Sequence, residues 1–465
     1  MMPLSPTSAI GLCGDAPALY PSMGTTLPRV LLIAEAANPE WVSVPLVGWN
    51  IATALRDVAD VHIVTQVRNR AAFLSRGLIE GRDFTAIDSE AFAAPFYKLA
   101  ERLRGGAGKG WTTITALQSL AYPYFEHLVW KRFGAEIKAG RYDVVHRITP
   151  LSPTAPSSLA RRCQRAGIPF LLGPLNGGLP WHAEYNRERI KEREWLSYVR
   201  RAYALLPTIR STYRNAAAII AGSCHTSKEL ARHGRPMVYI PENGIDTARF
   251  GSTVHSRTRD DKLRLVYVGR LVPYKGADIA LEACRELLRS GQAHFDIIGD
   301  GPEMPALQRL IAELKVENAV TLHGWKSHDS VAHLLRTTDV MVFPSVREFG
   351  GGVVLEAMAS GVVPVVIDYG GPGELVTPEC GFSVPIGPRT TIARQIETIV
   401  TSIANDGHDL DAMSAAAVGR IEKLYSWQAK AGQIAAVYQW LLTSRDGAPD
   451  FGFLGPTAHG IRAKD

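Results

Sequence analysis

The chain has 465 residues, 46% of them hydrophobic and 21% charged, with 42 Gly and 29 Pro. That length accommodates two or three domains with their own cores, and near-average Gly and Pro usage excludes collagen-like and low-complexity classes. Its five cysteines include no C-x-x-C pair, its apolar runs fall short of the ~18–20 residues that cross a bilayer, and its net charge is +6.

Taken in chain order, residues 1–27 lack a basic region ahead of an apolar core. They read as a disordered leader rather than a secretory signal, with Met23 as an alternative start. Arg29–Glu35 is an apolar, β-branched run suited to a buried parallel strand. A helix over Ser43–Ala59 and a strand over Val61–Val67 follow. Residues 96–139 read as two or three helices broken by Gly105, Gly106, Gly108 and Gly110. Then come strand Tyr142–Ile148, a helix from Ser157, strand Phe170–Gly173, a charged helix over 187–205, strand Ala217–Ala221 and a helix from Ser223.

After a turn-rich stretch at Pro241–Lys262 the alternation restarts. Strands are expected at Leu263–Val268, Phe295–Ile298, Val320–His323, Val340–Pro344 and Val363–Ile367, with helices at Ala277–Arg289 and Pro302–Leu314. Repeated strand–helix units imply parallel sheets covered on both faces, hence an α/β fold. Two doubly wound, Rossmann-like domains are expected over 28–241 and 242–426, facing across a cleft. Helix Trp427–Leu442 should cross back to the first domain, and 446–465 should form a flexible tail. Such sheets bind ligands at the carboxyl ends of their strands.

Charge divides unevenly between the halves. Residues 1–241 carry 29 Lys+Arg against 18 Asp+Glu, and residues 242–465 carry 22 against 27. The basic half favours an anionic partner, such as a phosphorylated acceptor or an acidic membrane surface, with a solvated basic face as the plain alternative. In helix 187–205, Leu196, Val199 and Tyr203 form one apolar face and Arg189, Arg193 and Arg200 lie near another, which suits a charged helix covering the sheet or docking on a bilayer. Nucleic acid is not expected, because no helix-turn-helix, zinc-finger or RNP pattern occurs.

The second half carries the chemistry. In VYVGRLVPYKG, Gly269 ends a strand and Arg270 and Lys275 project from the following loop, two fixed cations placed for a diphosphate. The order Lys275-Gly276-Ala277 excludes a P-loop. In REFGGGVVLEAMASG, Gly350, Gly351 and Gly352 sit where a helix begins, so free N–H groups and the helix dipole favour phosphate. Glu348 lies on that loop. Glu356 lies in the helix amid apolar residues, where an unpaired carboxylate is costly. Gly299-Asp300-Gly301 and Gly370–Glu374 reach the same cleft, and Met304 rules out a dinucleotide fingerprint for the former. Asp409-Leu410-Asp411 reads as a helix cap rather than a metal site.

Together GRLVPYKG, EFGGGVVLE, AMASGVVPVV and PENGID resemble the family 4 retaining glycosyltransferases (glycosyl transferases group 1) of the GT-B fold. The resemblance covers most of 29–442 and is strongest in the second half. It implies that Arg270 and Lys275 neutralise a donor diphosphate, Glu356 binds the ribose, and Glu348 touches the transferred sugar. Gly269, Gly299, Gly301 and the backbone of Phe349, Gly350, Gly351, Gly352 and Val353 would line the donor. The base would lie near Gly324-Trp325-Lys326.

In the first half, His146 ends a strand at the carboxyl edge. It resembles the acceptor-domain histidine of these enzymes, although Arg147 and Ile148 replace the usual flanking pattern. The first strand–helix loop offers only Gly48 where the family commonly carries a glycine pair. Gly177 and Gly178 in GPLNGGLPW are candidates for the acceptor pocket. The resemblance implies a cytoplasmic transferase, at the cytoplasmic face of the membrane where its acceptor is lipid-linked, that moves a hexose from a nucleotide sugar (a UDP-sugar first) to a lipid-linked or anionic acceptor. No cofactor or metal is expected. An NDP-sugar epimerase and a non-catalytic nucleotide-sugar-binding protein are the alternatives.

Overall fold

The computed structural model describes residues 26–90, 111–191, 206–251, 262–443 and 446–453. Strands β1 (Arg29–Ala34), β2 (Asp60–Gln66), β3 (Phe84–Ile87), β4 (Val144–Thr149), β5 (Phe170–Leu175), β6 (Ala218–Ala221) and β7 (Met237–Tyr239) form one sheet. Strands β8 (Leu263–Val268), β9 (Ala293–Ile298), β10 (Val320–Gly324), β11 (Val340–Phe343), β12 (Val363–Asp368) and β13 (Phe382–Pro385) form another. The first has seven strands in the order β3-β2-β1-β4-β5-β6-β7, the second six in the order β10-β9-β8-β11-β12-β13, and neighbouring strands pair in parallel.

Period-two geometry decides how β1 is used: Val30, Leu32 and Ala34 join one core layer, Leu31 and Ile33 the other. On the second face, Leu31 and Ile33 meet Phe125 and Val129 of helix Trp111–Lys138, Leu159 of helix Ser158–Ala166, and Tyr213 of helix Pro207–Asn215. Within the described part of this region, residues 111–138 are one helix with Pro123 inside it. The glycines expected to break this region lie outside the described residues, as do the leader up to residue 25 and 192–205 of the charged helix.

Strands β3, β7 and β13 were not expected from the sequence. All three are short edge strands, which bury fewer apolar side chains and leave a weaker pattern. Helix Trp427–Leu442 packs against helix Val44–Ala54 of the first lobe and contributes Tyr438 and Leu441 to the shared core. The expectation of a flexible tail fails between 446 and 453. Phe453 is 1% exposed and packs edge-on against Tyr239 and Tyr425, while Arg420 donates to its carbonyl at 2.6 Å. An aromatic side chain finding a buried slot outweighs the local Gly/Pro signal. Among the described residues, no helix is long and apolar enough to cross a membrane.

In each sheet the strand order reverses beside one central strand, between β1 and β4 and between β8 and β11. Loops diverge there, leaving a crevice at the carboxyl ends of the strands.

Candidate functional site

The loops after β8 and β11 flank the switch point of the second sheet. Gly276 adopts φ 72, and a side chain there would stand 2.5 Å from the Pro344 carbonyl. Glycine therefore lets the Lys275 turn close onto the end of β11. Gly351, at φ 64, caps helix Gly352–Ala359, another turn that L side chains rarely adopt. These two turns bring Lys275 and Glu348 together as an ion pair.

Lys275 also lies over the Phe343 ring at 5.4 Å. Burial, then the guanidiniums of Arg270 and Arg347, pull its ammonium down to about 7. Arg270 is exposed and has no ion-pair partner among the described residues. The N–H groups of Gly350, Gly351 and Gly352 likewise find no protein acceptor among the described residues. Concentrated positive charge and free backbone donors at one helix start suit a bound polyanion.

Arg347, flagged only as part of a motif, is 7% exposed and sits with its guanidinium 4.7 Å from the Trp181 ring and 4.9 Å from the Phe349 ring. Trp181 comes from the first lobe, so this stack joins the lobes at the site.

Farther out, Glu356 Oε1 lies 3.6 Å from His328 Nδ1. The Glu356 carboxylate raises the imidazole pKa above the usual value, against the opposing effect of burial. His328 escaped the sequence reading, although it follows Trp325 by three residues. Trp325 itself is 70% exposed, one residue past Gly324, whose carbonyl accepts from Gly299 N at 2.9 Å. Gly299 and Gly301 serve packing first: a side chain at either would meet the carbonyl of Gly269 at 1.9 Å or of Leu271 at 2.4 Å. Asp409 is a helix cap, its Oδ1 accepting from Ala412 N at 3.0 Å.

Two first-lobe assignments are corrected. His146 does not face the cleft: it is 0% exposed, with Nε2 2.7 Å from the Gly173 carbonyl and Nδ1 2.7 Å from the Tyr438 hydroxyl. A carbonyl only accepts, so Nε2 carries the proton and Nδ1 accepts from Tyr438. Burial holds its pKa near 3, so the ring is neutral and fully used in fastening the C-terminal helix to the sheet. Strand-end position was a real signal, but alternation turned this side chain inward. Gly48 is not in the pocket either. It is buried within helix Val44–Ala54, and a side chain there would stand 2.2 Å from the Ala36 carbonyl. In that first loop Ser43, not a glycine, takes a positive φ of 66.

Gly177 and Gly178 belong to a loop that docks on the second lobe. Asn176 Nδ2 donates to Glu242 Oε1 at 2.7 Å and to the Phe349 carbonyl at 3.2 Å, and Tyr369 donates to the Pro180 carbonyl at 2.8 Å. Nearby, Glu374 takes Cys224 N at 3.0 Å on each oxygen and the Tyr239 hydroxyl at 2.7 Å. Burial nevertheless raises its carboxyl to about 7, helped by Glu242. The motifs PLNGG, PENG and GGPGE displayed these residues, but their mutual contact is long-range and leaves no local pattern.

Residues 253–412 match the Glycosyl transferases group 1 family. Alpha-D-kanosaminyltransferase of Streptomyces kanamyceticus is 31% identical over 182 residues, 39% of this chain and 46% of that protein. WcaL of Escherichia coli K12, named for colanic acid biosynthesis glycosyl transfer, is 29% identical over 200 residues, 41% of this chain and 49% of that protein. The chain thus spans about half the length of these curated relatives. Among solved structures, Anabaena Alr3699/HepE in complex with UDP superposes with a TM-score of 0.57 at 18% identity, covering 88% of this chain and 98% of that one. Residues 253–412 of the second lobe are thus similar to group 1 glycosyltransferases, and the two lobes have the GT-B fold.

Proposed function

We propose that the protein is a retaining glycosyltransferase of family 4 that moves a hexose from a nucleotide sugar, first a UDP-sugar, to an acceptor hydroxyl. The single observation that carries this reading is the Lys275–Glu348 pair beside the free N–H groups of Gly350–Gly352, at the switch point of the second sheet. UDP bound to the Anabaena structure supports the choice of nucleotide.

In this reading Arg270, Lys275 and the helix start hold the diphosphate as charge develops on it, which is electrostatic preorganisation. Glu356 meets the ribose and Glu348 the transferred sugar. The bond from the sugar's anomeric carbon to the phosphate oxygen breaks, and the acceptor oxygen forms its bond on the same face. The departing phosphate takes the acceptor's proton, so no protein nucleophile is needed. His146, with both nitrogens engaged, has no part in this transfer. Two cations make the charge balance without a required metal.

The acceptor belongs to the basic first lobe, with a lipid-linked or anionic glycan as the chemical class and the cytoplasmic face of the membrane as the place. The WcaL similarity supports surface-polysaccharide assembly. Incubation with labelled UDP-sugars, with and without membrane lipid extract, tests the reading. Release of UDP together with labelled lipid or glycan is expected. UDP-sugar isomerised without acceptor would point to an epimerase, and binding without turnover to a non-catalytic protein.

A further inference from the structure

We propose that Asn176 of the first lobe is a positioning residue that sets the glycine turn of the second lobe, and that buried Glu242 holds Asn176 in register. The inference deepens the transfer reading, because it takes its ligand, a nucleoside diphosphate, from there.

Asn176 is presented from a fixed point. It directly follows β5, and its own N–H donates to the Leu151 carbonyl at 3.0 Å. Its amide has two N–H groups, matching the two acceptors it reaches, Glu242 Oε1 and the Phe349 carbonyl. Glu242 is 6% exposed, and its Oε2 has no hydrogen-bond partner among the described residues. Room for this carboxylate comes from glycines of both lobes. A side chain at Gly222 would stand 2.7 Å from Oε2, and one at Gly350 2.4 Å from Oε1. Lys430 donates to the neighbouring Pro241 carbonyl at 2.5 Å, and burial pulls its ammonium well below the ordinary value. Burying a carboxylate costs several kcal/mol, about as much as its partners recover. Stability alone does not account for placing one here.

The consequence follows from peptide planarity. The Phe349 carbonyl and the Gly350 N–H share one trans peptide and point in opposite directions. Fixing the carbonyl toward Asn176 turns the Gly350 N–H away from the seam, in the turn whose donors lack protein acceptors. Asn176 thereby makes one donor of the anion site depend on the apposition of the lobes.

The test is calorimetric titration of the full chain with UDP, for wild type, Asn176→Ala, the isosteric Asn176→Asp, which lacks the donor, and Tyr185→Phe. The last removes a different inter-lobe bond, from the Tyr185 hydroxyl to the Gly387 carbonyl at 2.8 Å. Both Asn176 variants are expected to weaken UDP binding about fivefold to twentyfold, and Tyr185→Phe to leave it unchanged. Hydrogen exchange without ligand should show faster exchange at the amides of 350–352 in the Asn176 variants. Wild-type affinity and exchange in those variants would overturn the proposal, as would equal weakening by Tyr185→Phe. If wild type binds no UDP, the transfer reading fails separately and the exchange comparison still decides the role of Asn176.

Discussion

Lys275 and Glu348, 73 positions apart in sequence, form an ion pair across the switch point of the second sheet. Each sits at the carboxyl end of a central strand, and the pair lies next to a helix start with free N–H groups. An anion entering there meets its counter-charges already in place.

His146 should matter for stability and not for chemistry. Alanine at this position leaves the Tyr438 hydroxyl and the Gly173 carbonyl buried without partners and opens a cavity. A loss of about 2–4 kcal/mol in denaturant unfolding is expected, with kcat of the folded fraction within about threefold of wild type. Because the ring is held neutral, with its pKa near 3 against an ordinary 6.5, its contribution is full above 6.5 and declines as pH falls.

Much of the architecture was legible because parallel strands buried on both faces read as unbroken apolar runs, as in VLLIA and LVYV. Helix Ala277–Arg289 was legible to the residue, since its apolar spacing is strict and Gly276 marks its start. The donor-side loops were legible because diphosphate binding needs cations and glycines within short segments. Edge strands were not, nor was the inward turn of His146, nor the seam joining Asn176, Glu242 and Glu374. Each of these depends on partners distant in sequence, and Phe453 found a pocket that its Gly/Pro-rich surroundings did not announce.

Glu374 makes a pH prediction. Its carboxyl titrates near 7 when folded, against an ordinary 4.5. The folded state therefore binds the extra proton between those values, and stability falls as pH rises from about 4.5 to 7. Glu374→Gln should remove that slope, a difference of up to about 3.5 kcal/mol across the window at ~1.4 kcal/mol per unit. Thermal or urea unfolding of both proteins across the range checks it, and parallel curves would refute it.

Gly350 leaves no room for a methyl group, with Asn243 Nδ2 2.1 Å and Glu242 Oε1 2.4 Å from where it would lie. Gly350→Ala should cost about 1–3 kcal/mol of stability by overpacking and weaken UDP binding by roughly tenfold or more, since the anion turn must shift. Paired unfolding and titration measurements test both parts.

If Arg270 and Lys275 supply the counter-charge, turnover of a UDP-sugar should persist in excess EDTA with less than about a twofold change. Loss of activity that magnesium or manganese restores would show that a metal shares the diphosphate.

The most direct test of the central claim, that a diphosphate is held by Lys275 and the Gly350–Gly352 helix start, is UDP titration of wild type against Lys275→Ala. Removing the ammonium should cost about 2–4 kcal/mol, or roughly 30- to 1,000-fold in Kd, with the fold intact by circular dichroism. A Lys275→Ala protein that binds UDP as tightly as wild type would contradict the account.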